Sequence, residues 1–587
     1  MMKPTVCIFL ALTLVTAVNA FQPSVLYSAV RLQALRTSVY APLVSSSKSR
    51  LFLEPDNALP LPTNGLTPQM KVEQDMEYSG HFRSAAYLLC QAGLLGMLTG
   101  WLVGIFKLSI DAVSYFFYHQ SLAARARLPF TVALIPALGG LLVGMLGRIG
   151  RFSPGLRATI EVVDEGAKKP QSSFIAGIRH QFRSIRKSTA AVITLGTGCS
   201  LGPEGPSVEI GMSLSRLIMD IFPRNNLSIP ETIKQNRLLL ACGAAAGVSA
   251  GFNAPISGVF FALEIMQSAF VSIDEKYAGP NKAEMTQSFT TTSESMSAVL
   301  VSSVLSALVA RTLVGEHLHL SLSEYSMRTP LLELPLYMML GVVSGGVAFL
   351  FSQAANLAQS FFKGEVGPKR FRKRIGSLPA VSKPMLGGLF CGLVGLAFPQ
   401  VLFGGYGLLN ELLANNVLPT SLLLGLLALK TATTAVAAGS GLVGGTFAPA
   451  LFLGAMTGGA FHNIAGALFK QPVHSSVTLA IPALMMADIP AYTMMGAASV
   501  LAAVFRAPLT ACLLLFELTR DYNIILPVMT SCGVASVVGD ILDYRQKERK
   551  RRRDQDPVSW GDLSDKWIRK VPVLPKENES EAPAPVD

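Results

Sequence analysis

The chain has 587 residues, of which half are hydrophobic and only 15% are charged, and its mean hydropathy is +0.44. Soluble domains carry about 25% charged residues, so this composition excludes a soluble protein and, with it, a soluble nucleic-acid-binding protein, despite a net charge of +12. Many basic residues lie at the ends of apolar segments and in the run 545–553. They are typical of residues that orient a membrane protein, and contact with lipid headgroups or a regulatory role is the alternative.

The amino terminus has the composition of a targeting sequence. Residues 1–20 contain an early Lys3, an apolar run and the small residues Val-Asn-Ala before Phe21, which is typical of a signal peptide. Residues 21–53 are rich in serine and arginine and contain no acidic residue, which is typical of a transit peptide. The combination resembles the two-part presequence of algae with secondary plastids, so we expect a plastid membrane, either thylakoid or envelope.

The alternative destination is another endomembrane or the plasma membrane, reached through the secretory pathway. In both cases residues 21–80 are expected to form a transit-peptide-like and linker segment that takes no part in the fold. The sequence then predicts a transmembrane domain over 81–545. It also predicts a basic, partly disordered tail over 546–587, because this segment is rich in charge and proline.

Apolar stretches recur through the predicted transmembrane domain, and several reach the roughly 20 residues that a helix needs to span a bilayer. They cover 85–107, 129–147, 237–266, 334–361, 384–399, 420–438, 475–487, 491–518 and 523–542. Two further apolar segments, 189–220 and 439–469, are interrupted by glycine and proline. Broken helices are tolerated at membrane depth only where they are buried in protein or line a watery cavity. The sequence therefore predicts an all-α, polytopic membrane protein with discontinuous helices along a transport path.

The chain contains an internal repeat. The segment GAAAGVSAGFNAPISGVFFALEIM at 243–266 matches GAASVLAAVFRAPLTACLLLFELT at 496–519 with a constant offset of 253 and eight identities in 24 positions. In both copies a glutamate, Glu264 or Glu517, follows an Ala-Pro pair, and both are expected to be structural carboxylates at helix ends. Two-fold repeats with broken helices are typical of transporters, and the residues fit either an inverted or a parallel arrangement.

A Gly-x-x-x-Pro element precedes each copy of the repeat, at Gly202–Pro206 and Gly445–Pro449, with an offset of 243. Proline suits the first turn of a helix, and glycine lets the backbone bend and approach a ligand closely. The start of such a helix presents unpaired N–H groups with a partial positive charge, which bind anions. We therefore expect one helix start from each half to converge on one anion.

Glu204 lies inside the first of these elements. A charged group at mid-bilayer costs about 2.5–3.5 kcal/mol on insertion scales, so the carboxylate should be paired or functional. An ionised Glu204 can occupy the place of the anion, and a protonated one would swing away, which makes it a candidate gate. The alternative is that Glu204 only caps the N–H groups of its helix.

Four ordered segments resemble the signature elements of the CLC family of chloride channels and anion/proton exchangers, especially its cyanobacterial and plastid-type members. They are GPEGPSVEIG, GGTFAPALFLG, FNAPISGVFFALE and FRAPLTACLLLFELTRDYNIILP. The resemblance covers about 85–542 and implies an inverted-repeat, homodimeric protein that moves chloride or nitrate. It places Glu204 on the gating glutamate and Gly202, Pro203 and Gly205 in its loop. It also places Thr446 and Phe447 where backbone N–H groups meet the anion.

Three positions depart from the family pattern. A serine that contacts the central anion is expected near FSPGLRATIE at 152–161, where Pro154 takes the serine position and Ser153 is the competing candidate. In plant relatives this proline goes with nitrate preference. Proton-coupled members carry an internal carboxylate where this chain has Ile265, which favours a passive channel over an exchanger. Tyr544 is the candidate for the tyrosine that closes the inner mouth.

No cofactor or metal site is predicted, because the seven cysteines are scattered without metal-ligand or disulfide spacing. The nucleotide-sensing domains of many eukaryotic relatives are not expected in the short tail. An intramembrane enzyme using Glu204, Glu209 or His462 as acid–base groups is a different class of function. The sequence disfavours it, since the histidines are dispersed and no H-E-x-x-H motif occurs.

Overall fold

The structure is a computed structural model that describes residues 68–119, 131–150, 152–153, 155–167, 174–222, 229–266, 293–315, 325, 332–366, 369–470 and 486–555. Within these ranges the backbone forms seventeen α-helices, and the only β-pairing is a single bridge. The expected all-α class is therefore confirmed. The predicted signal peptide, most of the transit and linker segment, the last part of the tail and Pro154 lie outside the described residues.

The first eight helices contain the first copy of the repeat. They are α1 (Pro68–Ser114), α2 (Thr131–Ile149), α3 (Leu156–Ala167), α4 (Phe174–Gly196), α5 (Glu204–Ile221), α6 (Ile229–Phe252), α7 (Pro255–Phe261) and α8 (Ser293–Val314). Both α1 and α7 continue into a π-helical turn, at Tyr115–His119 and Ala262–Met266 respectively.

The remaining nine helices contain the second copy. They are α9 (Leu334–Lys363), α10 (Lys369–Gly376), α11 (Ser382–Ala397), α12 (Tyr406–Leu413), α13 (Thr420–Ser440), α14 (Phe447–Lys470), α15 (Ile489–Phe505), α16 (Pro508–Thr519) and α17 (Ile525–Gln555). A 3₁₀ turn at Pro399–Val401 separates α11 from α12. The last helix continues beyond residue 545, where the transmembrane domain was expected to end.

Six helices in the described part of the chain are long and apolar enough to cross a membrane, which agrees with the predicted polytopic architecture. They are Ala85–Tyr118, Ser295–Val314, Leu334–Lys363, Thr420–Ser440, Phe447–Leu468 and Ile525–Arg549. The repeat helices α5, α6, α14 and α15 lie inside this assembly and contribute much of its buried core.

Glycine contacts have the same pattern in both halves. Gly211 of α5 packs against Gly243 of α6, and Gly454 of α14 packs against Gly496 of α15. A Cβ atom added to any of these glycines would meet the carbonyl oxygen of its partner, so only glycine lets the two helices approach this closely. The equivalent positions are 243 and 253 residues apart, as in the sequence repeat, which is thereby confirmed as a structural repeat.

The two glutamates of the repeat cap each other's helices. Glu517 accepts hydrogen bonds from the N–H groups of Ile256 and Ser257 at the start of α7, at 2.8 and 2.7 Å. Glu264 accepts them from the N–H groups of Leu509 and Thr510 at the start of α16, at 3.0 and 2.7 Å. Each donor and each acceptor has its counterpart 253 residues away. This reciprocity relates the two halves by an approximate two-fold axis and gives both carboxylates the structural position expected from the sequence.

Candidate anion pathway

The two Gly-x-x-x-Pro elements lie against each other. The N–H of Gly202 donates to the carbonyl of Gly445 at 2.8 Å, and the N–H of Gly445 donates to the carbonyl of Gly202 at 2.7 Å. This pair of bonds is the single β-bridge in the described chain. A Cβ atom at Gly445 would lie 2.7 Å from the backbone nitrogen of Gly205, so side chains are excluded where the backbones meet. The expected convergence of the two breaks is therefore observed.

Both breaks end in helix amino termini at this junction. Helix α5 begins at Glu204, directly after Pro203, and α14 begins at Phe447, directly after Thr446. Pro203 supplies no side-chain cap to α5. The first N–H groups of a helix have no partner within the helix, so each start presents amide donors with a partial positive charge. The geometry brings two such starts to one place.

The Glu204 carboxylate occupies this place. The residue is only 2% exposed, and its carboxylate lies beside the N–H groups of Glu204 itself and of Ala448 in α14. The hydroxyl of Tyr406 donates to Oε1 of Glu204 at 2.7 Å. Oε2 has no hydrogen-bond partner among the described residues. Lys107 of α1, also buried, interacts electrostatically with Glu204 and with Asp111.

Sequence reasoning missed both Tyr406 and Lys107. Tyr406 lies outside the repeat, at the start of α12, and nothing in its local pattern connects it with Glu204. Lys107 did carry a signal, since it is a basic residue within the span Ala85–Tyr118, and ionisable residues inside membrane spans are costly and often functional.

Aromatic side chains pack around Phe447 at the start of α14. Phe447 stacks on Phe505 with ring centroids 3.9 Å apart, and the ring of Phe252 lies 5.5 Å away. Phe252 and Phe505 are equivalent positions of the repeat, one from each half. Phe447 is therefore held by both halves, and its side chain is fixed while its backbone lies at the junction.

A sequence model of the voltage gated chloride channel family matches residues 160–540. The chain belongs to the voltage gated chloride channel, or CLC, family. It is 33% identical over 497 residues to chloride channel protein CLC-e of Arabidopsis thaliana, a match that covers 82% of this chain and 64% of that protein. The chain thus spans less than two thirds of the length of this relative.

Two further relatives are named as exchangers. The H(+)/Cl(-) exchange transporter ClcA of Yersinia pseudotuberculosis is 31% identical over 463 residues, covering 78% of this chain and 85% of ClcA. The crystal structure of a slow cyanobacterial Cl-/H+ antiporter aligns with a TM-score of 0.59 and 25% identity, covering 78% of this chain and 94% of that one. These matches confirm the polytopic CLC fold with its inverted repeat.

The other predicted anion-binding residues of this CLC protein are placed less directly. The carbonyl of Ser153 accepts a hydrogen bond from Lys187 at 3.2 Å, and Lys187 also pairs with Glu209 of α5 at 2.7 Å. Ser153 is thus tied to the helix that Glu204 begins. Tyr544 is 70% exposed on α17, and no described contact joins it to Glu204. The roles of Ser153, Pro154 and Tyr544 stay predictions.

The groups considered for an intramembrane enzyme are not brought together in the described chain. Glu204 contacts Tyr406, Glu209 pairs with Lys187, and His462 lies beside the ring of Tyr492. The sequence does contain one G-x-S-x-G match, at 247–251. Its serine, Ser249, is fully buried within α6 and donates to the carbonyl of Ala245 at 2.7 Å, so it is a packing residue.

Proposed function

We propose that this CLC protein is a channel for chloride or nitrate and that Glu204 is its gate. The observation that supports the proposal most directly is the position of the Glu204 carboxylate. It lies beside the amino termini of α5 and α14, which the hydrogen bonds between Gly202 and Gly445 hold together. A carboxylate at two anion-attracting helix starts fills the seat that a transported anion would take.

The expected mechanism is competition between Glu204 and the passing anion. Each helix start contributes roughly half an elementary positive charge, so two starts attract an anion without the tight hold of an arginine or lysine. An ionised Glu204 occupies the seat and blocks it. A protonated Glu204 is no longer attracted there and leaves, and the anion enters. The charged and titratable groups that face Glu204 are Lys107 and Tyr406, with Asp111 next to Lys107.

Passive conduction is favoured by the residues of the α7 end. Ile265 stands where an internal carboxylate would be expected in a proton-coupled member, and an aliphatic side chain carries no proton. The neighbouring Glu264 has both oxygens engaged by the start of α16, which disfavours it as a substitute. The alternative is a proton-coupled chloride or nitrate exchanger on the same fold, which the names of the ClcA relatives and of the cyanobacterial antiporter favour.

A plastid membrane and a homodimer complete the proposal. The plastid location rests on the composition of residues 1–53 and remains to be tested by imaging a fluorescent fusion of the full chain. The homodimer rests on the family resemblance, and cross-linking in lipid bilayers tests it.

The decisive experiment is anion flux from liposomes that contain the purified full-length protein. We expect Glu204→Gln to raise chloride flux and to abolish its dependence on pH, because the amide mimics the protonated gate. Glu411→Gln, an exposed carboxylate on α12, is the matched control and should behave as the wild type. Unchanged flux and pH dependence in Glu204→Gln would reduce Glu204 to a helix cap.

Reversal potentials separate the channel from the exchanger. In a planar bilayer with a fixed chloride gradient, a channel keeps the same reversal potential when a proton gradient is added. A potential that moves with the proton gradient would establish coupled exchange and contradict the channel, while leaving the role of Glu204 as gate intact.

A further inference from the structure

Tyr406 makes the single printed side-chain hydrogen bond to the proposed gate. Its hydroxyl donates to Oε1 of Glu204 at 2.7 Å, while Oε2 has no hydrogen-bond partner in the described part of the chain. The tyrosine comes from outside both copies of the repeat. It starts α12, directly after Gly405, whose φ of 87° turns the backbone into the helix.

The loop before Tyr406 is fixed by a buried cation. Lys430 of α13 is fully buried, and its ammonium group donates to the carbonyls of Val401 and Phe403 at 2.9 and 2.7 Å. Phe403 has a φ of 56°, a strained conformation for a bulky residue, and its N–H donates to the carbonyl of Gly198 at 3.3 Å. Such strain persists only where surrounding contacts hold it, so the loop presents Tyr406 in a defined position.

We propose that Tyr406 is a latch for Glu204, a positioning residue that sets how readily the carboxylate leaves the anion seat. The inference rests on the proposed gating function. An ionised Glu204 that leaves the seat must first break its bond to the Tyr406 hydroxyl, and a protonated one is held less strongly because hydrogen bonds to charged groups are the stronger ones. Lys430 acts one step further away, by holding the loop that carries the tyrosine.

Tyr406→Phe removes the hydroxyl and keeps the ring, so the width of the passage is unchanged. A hydrogen bond to a charged acceptor contributes enough to change an equilibrium by about tenfold or more. We therefore expect chloride flux from liposomes at neutral pH to rise by about tenfold and the flux-versus-pH curve to move to higher pH. Lys107 and Asp111 are unchanged in this variant, so their charges cannot cause the shift.

The double variant Tyr406→Phe/Glu204→Gln tests whether the tyrosine acts through the glutamate. If it does, the double variant has the flux of Glu204→Gln alone, because a latch has no effect once its carboxylate is gone. If Tyr406→Phe multiplies the flux by the same factor in both backgrounds, or has the wild-type curve, the latch is refuted. If Glu204→Gln itself changes nothing, the proposed gate fails and not only the latch.

The chain offers a matched control in Tyr492→Phe. The Tyr492 hydroxyl also donates to a buried carboxylate, that of Glu333, at 2.9 Å, but outside the anion pathway. This variant should lose stability and keep the wild-type flux-versus-pH curve. Lys430→Met provides a second approach, since it frees the loop without altering Tyr406 and should move the curve in the same direction as Tyr406→Phe. An unmoved curve in well-folded Lys430→Met protein would contradict the contribution of the loop.

Discussion

Replacing Gly445 by alanine tests the junction of the two breaks. The new Cβ would lie 2.7 Å from the backbone nitrogen of Gly205 and 3.2 Å from the carbonyl oxygen of Gly202. Ordinary contacts begin near 3.4 Å, so the two backbones must separate by several tenths of an ångström. The reciprocal bonds between Gly202 and Gly445, at 2.8 and 2.7 Å, would then lengthen or break.

The cost follows from those two bonds. Each contributes about 0.5–1.5 kcal/mol net, and a buried group left without a partner costs about 1–3 kcal/mol. We expect Gly445→Ala to destabilise the protein by about 2–4 kcal/mol and to lower chloride flux, because the two helix starts no longer face one seat. The φ of Gly445 is not among the positive values, so the effect is steric rather than conformational.

Thermal unfolding of the purified protein, together with liposome flux, measures both effects. Gly425→Ala is the matched control, since a Cβ there meets nothing within 4 Å and Gly425 lies inside α13. It should stabilise the helix by roughly 0.5–1 kcal/mol and leave the flux unchanged. If Gly445→Ala unfolds at the same temperature and transports as well as Gly425→Ala, the joined breaks are not what holds the pathway together.

The reciprocal caps predict that Glu264→Gln and Glu517→Gln destabilise the protein equally, each by about 1–2 kcal/mol, because each loses a charge at a helix start and part of its hydrogen bonding. Thermal unfolding beside the exposed control Glu411→Gln checks this, and a neutral Glu517→Gln with a destabilised Glu264→Gln would deny the symmetry of the caps. Pro154→Ser is expected to shift the ratio of nitrate to chloride flux toward chloride, and an identical ratio in the two proteins would dismiss Pro154 as a selectivity residue.

The features that repeat could be predicted from the sequence. A constant offset between residues 243–266 and 496–519, with a second offset for the Gly-x-x-x-Pro elements, identified the helix pairs and the two breaks before any coordinates. Glu204 could be singled out because an acidic group within an apolar domain carries an energetic cost. These inferences depend on local pattern, which the sequence displays directly.

Contacts across the repeat were beyond the sequence. Nothing in the residues around Tyr406 indicates that its hydroxyl reaches an oxygen 202 positions earlier in the chain, because the path of α12 depends on how Lys430 holds the preceding loop. The end of the domain at 545 was drawn where the basic run begins, yet α17 continues to Gln555. Lysine and arginine are good helix formers, so a change in polarity does not end a helix.

The offset of 243 also shows where the two halves have diverged. It places Phe447 opposite Glu204, so the same position of a duplicated frame carries an aromatic ring in one half and an acid in the other. Phe447 is wedged between Phe252 and Phe505, whereas the acid is tethered through one oxygen. Duplication thus produced a division of labour, in which one copy became the stationary wall of the passage and the other kept a side chain with freedom to move.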